Sequence, residues 1–201
     1  TALSADEFVC HWNRLQMAMS GAGRKVWLRL HDSRVLHQIL RILPPQQQRK
    51  LFDKVDSNSY WVGEGWITAN AKSTAGQSAV GTPLYLNWDW SRIEQIGTVN
   101  RALQAAGVRQ ATEISVKAEL AEQLIARAKE KHGFTEQADL VEFAMRGLTT
   151  AVAFDEHPGI LEAIRASIAH GDASLCDRLA LIDEKVWGEV SPNIPVEHEK
   201  A

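Results

Sequence analysis

Two clusters of ligand-type side chains stand out, His31-Asp32 and Asp155-Glu156-His157. A metal phosphohydrolase needs an adjacent His-Asp pair plus further His and Asp ligands converging on the same ion, so the enzymatic reading is a metal-dependent hydrolase using His31, Asp32, Asp155 and His157. Each cluster also has a structural explanation. Val26, Leu28 and Leu30 alternate with Trp27, Arg29 and His31, which places His31 on a strand face and leaves Asp32 where a helix begins. There its carboxylate accepts from the free amides of the first turn. Asp155 to His157 immediately precede Pro158, a residue suited to the first helical position, where acidic groups complement exposed amides and the helix dipole. The structural readings are the simpler ones, so the expectation is no catalytic residue, no metal and no cofactor.

Other chemistries lack their residues. No Gly-x-Ser-x-Gly elbow and no glycine-rich phosphate loop followed by Lys-Ser or Lys-Thr is present. A formal charge of −3 with both signs mixed along the chain gives no footprint for nucleic acid or an anionic membrane. Cys10 and Cys176 lie far apart without zinc-type spacing, which fits a reduced, cytoplasmic compartment. No apolar run reaches the roughly 20 residues of a membrane span, and residues 1–20 lack the order of a signal peptide. Arg29 and Arg34 could grip a partner's carboxylate or pair internally with Asp32, because guanidinium forms planar two-bonded contacts with carboxylates; the internal role is favoured.

The elements that would position these residues follow from periodicity. Ser4 to Glu7 is a capping box, followed by Phe8, Trp12, Leu15 and Met19 at helical spacing, with Gly21 and Gly23 ending the helix. A strand runs from Arg24 to His31. Helices then carry Val35 to Leu43 and, after Pro44-Pro45, Gln46 to Phe52. Tyr60 to Thr68 and Leu84 to Trp88 are aromatic-rich strand candidates joined by a mobile loop, Ala69 to Pro83. Ser91 to Glu94 is a second capping box and opens a helix that Gly107 closes. Beyond it the strand signal ends. Stripes at Leu120 to Ala128, Leu140 to Leu148 (capped by Thr135), Leu161 to Ile168 and Leu175 to Val186 predict four helices in a small antiparallel bundle. The fold class is therefore α+β: a small antiparallel sheet with flanking helices over 1–107, an all-α helical lobe over 108–190, and a disordered tail over 191–201.

Of seven tryptophans, six lie in the first 90 residues, so the halves differ in kind. Aromatic residues on strands either fill a core or line an apolar partner groove. Trp61 and Trp66, five apart in one strand candidate, would point to opposite faces, whereas Trp88 and Trp90 would share one. These four are the candidate partner-binding residues.

The stretch Trp27-Leu-Arg-Leu-His-Asp-Ser-Arg-Val-Leu36, followed by Ile39 to Gln48 and Leu51-Phe52, resembles the signature of type VI secretion effector chaperones, a domain once catalogued as of unknown function. Arg29, Asp32, Arg34, Val35 and Leu36 match it; Leu30, His31 and Ser33 depart from it, standing where the pattern has two aromatics and a proline. Gly133 to Leu140 with Phe154 to Pro158 resembles the helical segment that often follows, and the family's amino-terminal portion is expected to be missing. The resemblance implies a non-enzymatic bacterial adaptor chaperone of the cytosol, with Arg29, Asp32 and Arg34 as structural signature. It would bind a secreted effector toxin and load it onto the VgrG spike. An immunity or antitoxin-like protein that neutralises a toxin is the other binding-class reading.

Overall fold

A computed structural model describes residues 4–52, 55–70, 86–151, 153–170 and 173–191. The chain is α+β and divides into two compact units, one made of residues 1–100 with 109–116, the other of 101–108 with 117–201.

The first unit opens with α1 (Ala5–Leu15), where the capping box forms: Ser4 Oγ accepts from the Glu7 amide at 3.3 Å and Glu7 Oε2 accepts from the Ser4 amide at 2.9 Å. The helix stops at Leu15, a turn short of the Met19 that periodicity predicts. Met17–Met19 (β1) instead pairs antiparallel with Lys25–Trp27 (β2), Met17 opposite Trp27. Gly23 at φ 72 and the Ser20 amide bonded to the Arg24 carbonyl at 2.8 Å close this hairpin, a tertiary pairing that overrides a helical stripe. The alternation after Trp27 still sorts side chains, with Leu28 and Leu30 buried and Arg29 and His31 exposed, although the regular strand is only three residues long. Asp32 caps α2 (Ser33–Ile42), and Pro45 starts α3 (Pro45–Leu51). Gln48 Nε2 fastens the corner between them by donating to the carbonyls of Leu40 at 2.7 Å and Leu43 at 2.9 Å.

Tyr60 to Thr68 is not one strand. It is a hairpin of β3 (Ser57–Val62) and β4 (Gly65–Asn70), turned by Gly63-Glu64. Among the described residues the β part of the unit is thus two separate two-stranded ladders. The second expected strand also fails where it can be seen: Leu86 to Trp88 carries no strand, and Leu84, Tyr85 and the greater part of the predicted mobile loop lie outside the described residues. Next, α4 (Trp90–Ile93) is capped by Asp89 and not by Ser91, whose hydroxyl donates to Asp89 at 2.6 Å. After it, α5 (Ile96–Ala105) ends near Gly107 at φ 70. The core gathers Leu30, Leu36, Ile39, Leu43, Leu51, Val62 and Val99, all at most 3 % exposed, a burial that supplies the main stabilisation of so small a unit.

Helix α6 (Ala111–His132) ends at Gly133, φ 74. In the second unit, α7 (Gln137–Thr149) follows Glu136 and receives no side-chain cap, so Thr135 does not fill the role its position suggests. A 3₁₀ turn (Phe154–Glu156) leads into α8 (Pro158–His170). The single last helix expected over Leu175 to Val186 is two, α9 (Leu175–Ala180) and α10 (Glu184–Val190), because Asp183 accepts from the Lys185 amide at 2.8 Å and starts a new helix. Phe143 packs against Phe134, Phe154 and His132, with Phe154 4.9 Å away between ring centroids, and Trp187 stacks on Phe154 under the Arg146 guanidinium. The predicted tail beyond Ser191 lies outside the described residues.

Candidate partner-binding surface

The hairpin turn decides where the tryptophans point. Positive φ at Gly63 (59°) and at no non-glycine residue is the pattern of a two-residue type II′ loop, which closes on a hydrogen-bonded Val62–Gly65 pair. Alternation then makes Tyr60–Ile67 a bonded pair and leaves Trp61–Trp66, Ser59–Thr68 and Ser57–Asn70 as the closer, non-hydrogen-bonded pairs. Trp61 and Trp66 therefore face each other on one surface instead of lying on opposite faces. Their centroids are 5.6 Å apart at 83°, an edge-to-face pair, and the rings remain 49 % and 69 % exposed. Ser59 and Thr68 continue the face with a 2.9 Å hydroxyl–hydroxyl hydrogen bond.

The opposite face of the hairpin is the buried one. Tyr60 and Val62 are buried, and Gly63 is held so close that a Cβ there would stand 1.9 Å from the Arg109 carbonyl oxygen, to which the Glu64 amide donates at 2.8 Å. His37 bridges elements beneath, with Nδ1 3.2 Å from the Tyr60 hydroxyl and Nε2 3.1 Å from Ser115 Oγ. Burial, and secondarily the charge of Arg41, push the His37 imidazole below its ordinary range, and burial raises the Tyr60 phenol to about 12. Both are neutral near pH 7, which suits a polar chain that fixes a platform. Gln38, fully buried, donates to Asn100 at 3.1 Å and accepts from Arg41 Nε at 2.8 Å. Nothing in the apolar periodicity signals this polar layer.

Trp88 and Trp90 form a second ring pair, 6.4 Å apart and partly buried, though not on a strand: Trp88 is in the loop and Trp90 begins α4. No ring contact joins this pair to Trp61–Trp66 among the described residues. Trp27, 54 % exposed beside Met17 and Met19, forms an apolar face on the β1–β2 hairpin that the stripe of α1 concealed.

The signature residues take distinct roles. Arg34 grips Asp32 through Nε at 3.1 Å and Nη2 at 3.0 Å while its amide donates to the same carboxylate at 3.0 Å. Partial burial opposes ionisation of Asp32, but these bonds hold its carboxyl below the usual range. Arg29 is exposed and makes no ion pair among the described residues.

The ligand-type residues are engaged elsewhere. His31 Nδ1 lies 3.3 Å from Gln16 Oε1, and His157 Nε2 lies 3.0 Å from Glu189. Asp155 does not complement the start of α8; its side chain is fully buried and accepts from Arg127 Nε at 3.0 Å, Lys131 Nζ at 3.0 Å and His132 Nε2 at 2.8 Å. Three side chains of α6 thus clamp the turn before α8, which spacing around Pro158 could not reveal. Among the described residues no group of three or more His, Cys, Asp or Glu could hold a metal ion, and no helix is long and apolar enough to cross a membrane.

No curated protein and no solved structure matches the chain. Residues 1–50, the segment from α1 into α3 that contains Arg29, Asp32 and Arg34, match the model of a family described as a domain of unknown function (DUF4123).

Proposed function

We propose that the protein is an adaptor that binds a type VI secretion effector in the cytosol and helps load it onto the VgrG spike. The observation that carries this reading is the family match over residues 1–50, which falls on the segment whose Arg29, Asp32, Arg34, Val35 and Leu36 resemble the effector-chaperone signature. The exposed aromatic surface supports a holding role. Two large rings in contact at an exposed hairpin are rigid anchors of the kind that dominate protein interfaces, since tryptophan offers large contact area with few rotatable bonds. In this mechanism the adaptor shields an apolar segment of the effector against Trp61 and Trp66, with Trp88 and Trp90 as further contacts, and remains behind when the spike departs.

The test is co-expression with a type VI secretion effector toxin, comparing wild type with Trp61→Ala, Trp66→Ala and Trp88→Ala, with folding checked by circular dichroism. Loss of effector recovery from folded Trp61 and Trp66 variants is expected. Full recovery from all three would remove the aromatic surface from the mechanism.

A further inference from the structure

The parity that brings Trp61 and Trp66 together also aims their backbone groups outward. In an antiparallel ladder the residues of non-hydrogen-bonded pairs turn their N–H and C=O away from the partner strand, so β4 presents those of Trp66, Thr68 and Asn70 along its free side. Among the described residues none of these groups finds a partner outside the hairpin. Gly65-Trp-Ile-Thr-Ala-Asn70 carries no charge, no proline and no bulge, the devices by which free edges are usually guarded. Trp66, the most exposed of the large aromatic residues, stands over that edge.

We infer that β4 is a strand acceptor: an extended, uncharged segment of a partner polypeptide adds to it as a third strand, and its alternate side chains pack on Trp66 and Trp61. Backbone bonds supply affinity in such additions, and pockets for alternate side chains supply selectivity. A second copy of the chain is a poorer occupant. An edge of six residues is about 20 Å long and one strand thick, on the order of 200–300 Å² per partner. Stable protein interfaces bury roughly 800 Å² per partner. The inference rests on the proposed effector-binding role only for the identity of the partner; the edge itself can be tested without the effector.

The probe is a fluorescein-labelled synthetic peptide of alternating threonine and valine with a lysine at each end, titrated into the full chain by fluorescence anisotropy. Thr68→Pro removes the outward amide without touching the β3 ladder, a position where an edge strand tolerates proline. Thr68→Val keeps the amide and loses only the hydroxyl bond to Ser59. Ser59→Pro deletes the corresponding amide on the opposite edge. Binding to wild type, Thr68→Val and Ser59→Pro, with affinity for Thr68→Pro weakened about tenfold or more in a protein of unchanged circular dichroism, is expected. Hydrogen exchange at the Thr68 and Asn70 amides should be fast in the free protein and slow with peptide.

Four results overturn the inference: no peptide binding, equal binding by Thr68→Pro, loss in Ser59→Pro with retention in Thr68→Pro, or slow exchange at these amides in the free protein. A dimer in sedimentation that Thr68→Pro dissolves would likewise replace the partner segment with a second copy. Effector recovery that depends on Trp61 and Trp66 but not on Thr68 leaves the adaptor reading standing and strand addition refuted.

Discussion

Asp155→Asn tests the charge of the buried carboxylate that holds the second unit's turn. The side chain is 0 % exposed and meets Arg127 at 2.8 Å, Lys131 at 3.0 Å and His132 at 2.8 Å, so the substitution keeps shape, removes the anion and sets an amide donor against one of the surrounding donors. Removing one partner of a fully buried ion pair costs about 3–5 kcal/mol. Arg127 and Lys131 are 27 % and 41 % exposed and keep Glu156 Oε1 as a second partner, at 2.8 Å and 3.4 Å, so the expected loss falls to about 2–3 kcal/mol. At roughly 2–4 °C per kcal/mol for a chain of this size, the melting transition should drop by about 4–12 °C. Scanning calorimetry at neutral pH measures it, with the exposed Glu156→Gln as a control of smaller effect. Burial alone would raise the Asp155 pKa, but hydrogen bonds from His132, Lys131 and Arg127 outweigh it and leave it lowered from 3.8. A depressed folded-state pKa means that this stabilisation is complete above about pH 4 and is lost as pH falls through the folded value. The Asn variant should therefore show a shallower acid decline. A midpoint shift worth less than about 0.5 kcal/mol would refute the argument and mean that desolvation cancels the attraction.

Three further substitutions address the first unit. Gly63→Ala meets both a left-handed backbone and the Arg109 carbonyl oxygen 1.9 Å from its Cβ, so urea denaturation should show a loss of about 2–4 kcal/mol; under 1 kcal/mol would contradict the docked turn. His37 is neutral in the fold with a pKa below 6.5, so wild-type stability should be full above about pH 6.5 and decline as pH falls, and His37→Gln should flatten that decline in denaturation midpoints taken from neutral to mildly acid pH. An unchanged slope would show that the imidazole is not desolvated. Asp32→Ala deletes the cap of α2 and the Arg34 contact, and chemical denaturation should register about 1 kcal/mol; a loss well above that would assign the residue more than capping.

Local signals that act over one turn were legible. Ser4 with Glu7, Asp32, Pro45, Gly107 and Gly133 all start or stop helices as their chemistry requires, since each effect involves only neighbouring amides. Competing caps were harder: Asp89 displaces Ser91 and Asp183 splits a helix, because a carboxylate two or three residues from several possible starts does not announce which amide it will accept from. The ends of α1 and β1 were hidden for a different reason. Met19 fits the helical stripe of Phe8, Trp12 and Leu15 as well as a strand, and the decision belongs to pairing with Lys25–Trp27. Asp155 was out of reach altogether, because its partners Arg127, Lys131 and His132 precede it by more than 20 residues and carry no pattern that points to it.

The candidate surface depends on a single choice of this last kind. Val62-Gly-Glu-Gly65 is short enough to be read through as strand, and a continuous strand separates Trp61 from Trp66 by an odd interval, hence onto opposite faces. A two-residue turn converts the same interval into direct opposition. It places both rings in a non-hydrogen-bonded pair, where side chains lie closest and edge-to-face packing is worth about 0.5–1.5 kcal/mol beyond buried area. Both rings are still half-exposed or more, so that energy is available without the large burial by which a core tryptophan contributes to folding. A fold that required these residues only for stability would gain more by turning the rings inward, where Tyr60 and Val62 lie. The exposed placement accordingly distinguishes the two faces of the hairpin: its inner face, pinned through His37 and Gly63, holds it in place, and its outer face is the one that the proposed adaptor role gives to a partner.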